Sequence, residues 1–548
     1  MKSNAVSVDA PIGGWNAFDS LDNMPPDCAV ILDNLIPSAG TVDTRKGTFQ
    51  YADTGTGLPV ETVASLNTNL ETKLVVASGG GIWDMTYAED LGGTWSVNPA
   101  IPPQDEGSFW DEKLWNNIVL LHPAGTFQND RWQTINFRGL AEEGVLIMCN
   151  GQDQAQKYAT PYTTTVDIPF TEEDPNDPDV QIPLDGDFIG VEVFKGRAYY
   201  WRDDDDGFWY AQAGSYQGEL QYFPMGSVVQ RGGKIVMMTT WTQQDSGDGK
   251  DDFLVIVFST GEIIIYQGDD PETIGFFEMV GRYITAEPLS IRGRDKYGSD
   301  IIIMTRDGYI ALSTIVQQGR ISDVPAFSRL ITDAIKLRTQ DSTRTYGWQA
   351  TLFAREGLFL FNVPITPVKF EQHVLNTVTQ RWCRFTDLDV NCMTVHDKRL
   401  YGGTNDGRVI RMMEGTNDED RPINFTALPA FNYYGESGLH KQVSAAQIIS
   451  THSFPEQINL RGYADFNYPY DPEDFPPPPF DFQNIGTWDI SNWDEDYWAQ
   501  IQTPFTTKGW QNVSAFGYAV SVMVRFSKKN EGVRWRSTGI RFNIAGAQ

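Results

Sequence analysis

Few side chains in this sequence combine a type and a spacing that could do chemistry. Five histidines stand at His122, His373, His396, His440 and His452, and no two are spaced as an HExxH or other metal-binding pair. The four cysteines, Cys28, Cys149, Cys383 and Cys392, contain no CxxC, so neither a zinc ribbon nor a disulfide framework is indicated, and a reducing site of synthesis is expected. There is no GxSxG elbow and no Walker loop. Gly79-Gly80-Gly81 lies between two apolar runs, whereas a dinucleotide fingerprint leads from a strand into a helix. The run Asp203-Asp204-Asp205-Asp206-Gly207 invites calcium, but an EF-hand register puts its first ligand at Arg202, so a surface turn is the reading. A glycosidase would need two carboxylates about 5–10 Å apart. The 72 acidic residues leave such a pair open and single none out. No catalytic residue, cofactor or metal is therefore assigned, and a non-enzymatic role is expected.

What the sequence writes repeatedly is hairpins. FLVIVFSTGEIIIYQG at 253–268 sets two apolar runs across Ser259-Thr260-Gly261. The same format occurs at 74–86, 117–129, 145–158, 191–202, 301–313, 352–363 and 399–412, with Gly, Asn-Gly or Asp-Gly at the turns. Such residues reach positive φ and so match the twist of paired strands. The hairpins recur every 30–60 residues or so, near the spacing of four-stranded blades about an axis. The expected fold is all-β: a β-propeller of six or seven blade-like units over 56–420, an extended N-terminal arm over 1–55, and a C-terminal β-sandwich-like domain over 421–548. A tandem of β-sandwiches would give similar turn spacing. A chain of 548 residues is too long for one ordinary core, in keeping with several domains.

Three segments depart from the hairpin format. The arm is strand-poor, with apolar residues too scattered to stand alone, so it must lie on the rest of the chain or on a neighbour. One helix is expected over 322–338, with Phe327, Leu330, Ile331, Ala334 and Ile335 on one face, capped by Ser322 or Asp323 with Pro325 in the first turn. The insertion at 467–500 carries Pro476 to Pro479 and dense aromatics without a Lys or Arg. Four prolines forbid a central strand, and aromatics this dense pack internally or on a partner. Trp488, Trp493, Tyr497 and Trp498 are its partner-contact candidates. A second acidic, Pro-bearing stretch at 171–187 reads as a solvated loop.

The formal charge of −30 argues against nucleic-acid grip, which depends on Lys and Arg displacing counterions from phosphates. No apolar run is long enough for a membrane-spanning helix, and the N-terminus lacks a signal-peptide core.

The arm reads Gly13-Gly14-Trp15-Asn16, then Met24-Pro25-Pro26-Asp27, then Leu32-Asp33-Asn34-Leu35, closing on Arg45-Lys46-Gly47. In this order it resembles the opening of the nozzle, or packaged-DNA-stabilisation, proteins of short-tailed bacteriophages. FSTGEIIIYQGDD at 258–270, the helix-bearing segment 301–338, 379–412 and TGIRFNIAG at 538–546 fit the same family. The insertion at 467–500 has no place in that pattern. The resemblance implies a homohexameric tube in the virion tail, made in the bacterial cytoplasm and attached to the portal through an adaptor. It would dock tail fibre, spike or needle proteins, and it would retain duplex DNA and then pass it without sequence-specific binding. Trp15, Leu32, Asp33, Asn34 and Leu35 become subunit-contact candidates. An acidic wall suits transit, because duplex DNA carries one charge per about 1.7 Å of axis and a basic wall would hold it. The alternative is a propeller-type glycan hydrolase or depolymerase, or a lectin, at the host surface.

Overall fold

Tight turns set the architecture. Lys195 and Gly196 take φ of 45° and 77°, joining Gly190–Phe194 to Arg197–Trp201 through a two-residue loop whose twist matches the strands. Repeated along the chain, such turns give an all-β protein, 57% strand and 5% helix in the computed structural model, with many small sheets and, among the described residues, no closed barrel. The structure describes residues 4–69, 71–86, 118–139, 144–159, 164–174, 177–244, 250–273, 275–318, 326–342, 345–419, 421–435, 437–452, 458–468, 485–486, 497–498, 505–507, 509–528 and 532–545.

Seven small antiparallel meanders follow one another. The first holds Val60–Asn67, Thr72–Ser78, Gly81–Asp84 and Val119–His122, and the second runs from Gln133–Phe137 to Val166–Asp167. The third is built on Gly190–Phe194, Arg197–Trp201, Phe208–Ala211 and Gly218–Phe223. The fourth spans Ile235–Gln244 to Phe277–Ile284, the fifth Arg294–Tyr297 to Gly308–Ala311, and the sixth Gln349–Phe353 to Arg381–Phe385. The seventh combines Val390–His396, Arg399–Thr404 and Arg408–Met412 with Thr48–Asp53 from the other end of the chain. Each sheet packs on the next, and Val390–His396 of the seventh packs on Val60–Asn67 of the first. The strands are apolar on both faces, as in Ile263, Ile264 and Ile265, because each sheet has a neighbour on either side.

The sixth meander does not end at Phe385. Its edge continues through Cys28–Asp33 into Ile423–Pro429, Val520–Lys528 and Asn459–Ala464, forming one nine-stranded sheet with Gly14–Trp15 at its side. A seven-stranded sheet of His440–His452, Arg534–Ala545, Gln511–Gly517, Phe505–Thr507, Asn4–Asp9, Leu35–Pro37 and Val42–Thr44 lies against it. Val443, Val513, Ile540 and Phe542 of this sheet meet Val520 and Val522 of the other. The largest apolar cluster runs from Tyr309, Phe361 and Trp382 through Leu32 to Phe425 and Trp535, so position 420 marks no break in the core.

Seven of the eight expected hairpins form. The exception is 117–129: Val119–His122 is the outer strand of the first sheet, and the chain after it turns away to the second sheet. Residues 171–187 are not a solvated loop. Phe170–Asp174 and Asp177–Leu184 pair as a hairpin, extending the third sheet through a parallel pairing with Gly218–Phe223. The arm, expected to be strand-poor, holds six strands, from Asn4–Asp9 to Thr48–Asp53; each takes its partner from elsewhere in the chain or from its neighbour in the arm. The helix begins as a 3-10 turn over Ala326–Ile331 and continues as an α-helix over Thr332–Ser342, with Ile331 and Ile335 buried as the periodicity requires. Its expected caps at 322–325 lie outside the described residues. A further helix, Leu312–Gln318, has no counterpart in the sequence reading.

Candidate functional site

The arm's motif residues converge on one buried polar network. Asp33 closes the strand Cys28–Asp33, and its carboxylate accepts from Arg384 Nε at 2.8 Å and Nη2 at 3.0 Å. Such a two-point pair fixes direction as well as charge. The Arg384 guanidinium also lies over the Trp15 ring, 5.5 Å from its centroid. Trp15 in turn meets the His373 ring edge-on at 5.3 Å.

Glu371 stands behind them. Its carboxylate accepts from Arg338 Nε at 2.7 Å and Nη2 at 3.0 Å, from His373 Nε2 at 3.3 Å, and from Arg384 Nη1 at 3.5 Å. Burial by itself would raise this carboxyl. The His373 hydrogen bond and the Arg384 and Arg338 guanidiniums outweigh it and hold Glu371 well below the usual carboxylate range. Burial lowers the pKa of His373 against the opposing pull of Glu371. With Nε2 donating to Glu371, Nδ1 accepts the Tyr309 hydroxyl at 2.9 Å. Every polar atom of the His373 ring is thus used, and the ring is fully buried, which leaves neither a proton acceptor nor access for a substrate.

Asn34 sits one residue on, at a φ of 63°, a conformation Asn tolerates better than other side chains. The kink turns its amide inward. Nδ2 donates to the Asn424 carbonyl at 2.7 Å and to Thr386 Oγ1 at 3.1 Å, while Oδ1 accepts from Thr386 N at 3.0 Å and from Arg45 Nε at 2.8 Å. Arg45 passes the connection on to Asp418, with Nη1 at 2.9 Å from Oδ1 and Nη2 bonded to Oδ2. Gly47 follows, packed so closely on the chain at 417 that a Cβ would stand 1.9 Å from the Asn417 carbonyl oxygen. Thr48–Asp53 then enters the seventh sheet.

Trp15, Leu32, Asp33, Asn34 and Leu35, the subunit-contact candidates, are therefore all buried within the chain's own fold. Trp15, Leu32 and Leu35 belong to the large apolar cluster, Trp15 at its edge beneath the Arg384 guanidinium, and Asp33 and Asn34 belong to the polar network beside it. Sequence reasoning did not single out Glu371, Arg384 or Asp418. One local signal existed: Glu371 and His373 are two apart on a strand and so share a face. Of the partner-contact candidates, Trp488 and Trp493 lie outside the described residues; Tyr497–Trp498 pairs in parallel with Ile485–Gly486. All four cysteines are buried free thiols. Among the described residues no cluster of three metal-ligating side chains occurs, and no helix is long and apolar enough to cross a membrane.

No family model matches the chain, and no curated protein matches it. Solved structures similar to it include the computationally designed Ika8 protein, with 9% identity and a TM-score of 0.34 over 66% of this chain and 99% of that one. Raptor from Chaetomium thermophilum gives 12% identity and a TM-score of 0.39 over 68% of this chain, which spans 29% of the Raptor chain. BBS1N in complex with ARL6DN gives 11% and 0.36 over 69% of this chain and 100% of that one.

Proposed function

We propose that the chain is a structural subunit of the tail nozzle of a short-tailed bacteriophage. It forms a homo-oligomeric, ring-shaped conduit, by the family resemblance a hexamer, bound to the portal through an adaptor. The seven meanders are the blades of a β-propeller, which the strand Thr48–Asp53 closes by completing the last blade, and the continuation of the nine-stranded sheet beyond the sixth meander forms a sandwich with the seven-stranded sheet.

One observation carries the reading. The arm residues that bear the family resemblance, Trp15, Asp33, Asn34, Arg45 and Gly47, are the ones that lock the arm to the sixth sheet and to the segment 418–424. A motif that builds an internal brace and no reactive group suits a part that bears load. The charge of −30 adds support, since a wall of the same sign as DNA favours passage over retention by contact. In this reading the conduit lies between subunits.

Native mass spectrometry and low-magnification electron microscopy of the purified chain, alone and with the adaptor, test the proposal. A ring with an open bore is expected. A particle that stays monomeric with every tail component present overturns it, as does a bore lined with Lys and Arg.

A further inference from the structure

The outer face of the seven-stranded sheet differs in composition from the rest of the chain. The inner face, with Val443, Val513, Ile540 and Phe542, packs on the nine-stranded sheet. Side chains alternate along a strand, so Phe516 and Arg541 point the other way, and both are exposed. On this side Phe516, Tyr518 and Trp510 are 59%, 41% and 37% exposed. His440 stacks on Phe516 with ring centroids 4.9 Å apart and lies 3.9 Å from the Tyr518 centroid. The Arg541 guanidinium lies 4.0 Å from the Trp510 centroid. The rings are held in place and still open to solvent.

The charge balance is reversed there too. The strands Asn4–Asp9, His440–His452, Gln511–Gly517 and Arg534–Ala545 carry four Lys or Arg residues and one carboxylate, Asp9, in a chain that has 42 and 72. Lys441 is buried, whereas Arg534, Arg536 and Arg541 are exposed. Asp43 lies 3.9 Å from Arg534; among the described residues Arg536 and Arg541 form no ion pair. Exposed aromatics and arginines with few Lys, Asp or Glu make up the core of protein–protein interfaces.

A complement to this face exists on the same molecule. The third sheet has six strands, where the first, second, fourth, fifth and seventh have three or four. The extra pair, Phe170–Asp174 and Asp177–Leu184, is outermost, so it stands about 10 Å, two strand spacings, further out. Between Lys157 and Lys195 the chain holds no Lys or Arg. The hairpin gathers Glu172, Glu173, Asp174 and Asp177 at its end, with Val180 exposed beside them. The C-terminal sheets join the sixth small sheet, three steps from the third, the most that a cycle of seven permits. Hairpin and face thus lie on opposite sides of one chain and meet only between chains.

We propose that the acidic hairpin 170–184 of one copy docks on the arginine- and aromatic-bearing outer face of the seven-stranded sheet of a second copy. The contact joins two different surfaces, so it repeats head to tail and gives a ring where the rotation closes. It rests on the nozzle reading for the existence of an oligomer and names the surfaces that hold it.

Sedimentation velocity of the full chain and of two charge-reversed double variants tests it. Arg536→Glu with Arg541→Glu sets like charge against the hairpin, and Glu172→Lys with Glu173→Lys sets like charge against the face. Each alone should assemble at least about tenfold more weakly than the parent. An equimolar mixture of the two should assemble again, because every contact in an alternating ring then pairs opposite charges. Arg231→Glu with Arg306→Glu makes the same change in net charge at exposed positions elsewhere and should assemble as the parent does. Thermal melts establish folding; if the Arg541 substitution unfolds the chain, Arg536→Glu alone takes its place. Unchanged assembly of a double variant, or no recovery in the mixture, overturns the contact and leaves the nozzle reading standing. So does a parent that is monomeric alone at about 100 μM yet assembles with the tail components. A parent monomeric even with them overturns both. Recovery in the mixture as a particle without a bore sustains the contact and overturns the nozzle. Duplex DNA is the rival occupant: a gel shift abolished by Arg536→Glu with Arg541→Glu, with assembly unchanged, assigns the face to nucleic acid and overturns the contact.

Discussion

Arg45 Nη1 lies 2.9 Å from Asp418 Oδ1, a buried contact between residues 373 positions apart. It joins the end of the arm to the last turn before the C-terminal strands. Thr48 donates to the same Asp418 oxygen at 3.3 Å, and Arg45 N donates to the Asn34 carbonyl at 2.9 Å. The pair therefore fixes where the closing strand Thr48–Asp53 must enter. Its role is positional: a buried ion pair gives up hydration on both sides and repays that loss only when every remaining donor and acceptor is satisfied.

Removing one partner of this pair should be far more damaging than removing both. Arg45→Met leaves the Asp418 carboxylate buried without its cation and should cost about 3–5 kcal/mol. The double variant Arg45→Met, Asp418→Leu should recover a substantial part of that loss. Urea denaturation followed by tryptophan fluorescence measures both; equal losses in the single and double variants would show that the pair is not coupled.

Asn34 separates conformational strain from hydrogen bonding. Asn34→Gly loses the side-chain bonds to Thr386, Asn424 and Arg45 but accepts a φ of 63° freely. Asn34→Ala loses the same bonds and adds the left-handed penalty of about 1–2 kcal/mol. Both should destabilise, with Ala worse than Gly by about 1 kcal/mol in the unfolding free energy from urea denaturation. Indistinguishable variants would mean that this backbone conformation is not maintained in solution.

Gly47→Ala should detach the closing strand, because the added carbon would occupy the position of the Asn417 carbonyl and the backbone on both sides is held by ladder and network bonds. Without Thr48–Asp53 the strand Arg408–Met412 becomes an exposed edge, a template for pairing between chains. Increased light scattering, and amide exchange that speeds up at 408–412 while 253–268 stays protected, is the expected result. Uniform protection would remove the strand from its closing role.

Asp130 supplies a pH test. Its two carboxylate oxygens accept from Gly80 N at 2.9 and 3.1 Å, but burial dominates and raises its pKa to about 6. A folded-state value above the unfolded one means that the protonated form is favoured on folding. This contribution is fully present below about pH 4 and is lost as pH rises through about 6. Asp130→Asn keeps an acceptor for Gly80 without the charge. It should be more stable than the parent at pH 8 and lose that advantage by about pH 4. Melting curves across this range check it; an advantage that grows toward acid would reverse the sign.

The sequence by itself determined the local geometry. Gly, Asn-Gly and Asp-Gly turns between apolar runs paired as hairpins in seven of eight places, because few residues reach positive φ and the flanking strands twist together there. It also set the poverty of catalytic groups and the strong negative charge. Pairing beyond nearest neighbours was not legible. Nothing local tells Thr48–Asp53 that its partner is Arg408–Met412, or that Cys28–Asp33 bridges the sixth sheet to Ile423–Pro429. Residues 171–187 were misread for a related reason: acidic and Pro-bearing strands look like loops until an edge is available to pair with. Tertiary structure alone decided that Asp33, Asn34 and Arg45 are internal braces. The physical reason is range. Turn preference acts over a few residues, whereas the partners of a buried charge are chosen by packing, which brings together groups from anywhere along the chain.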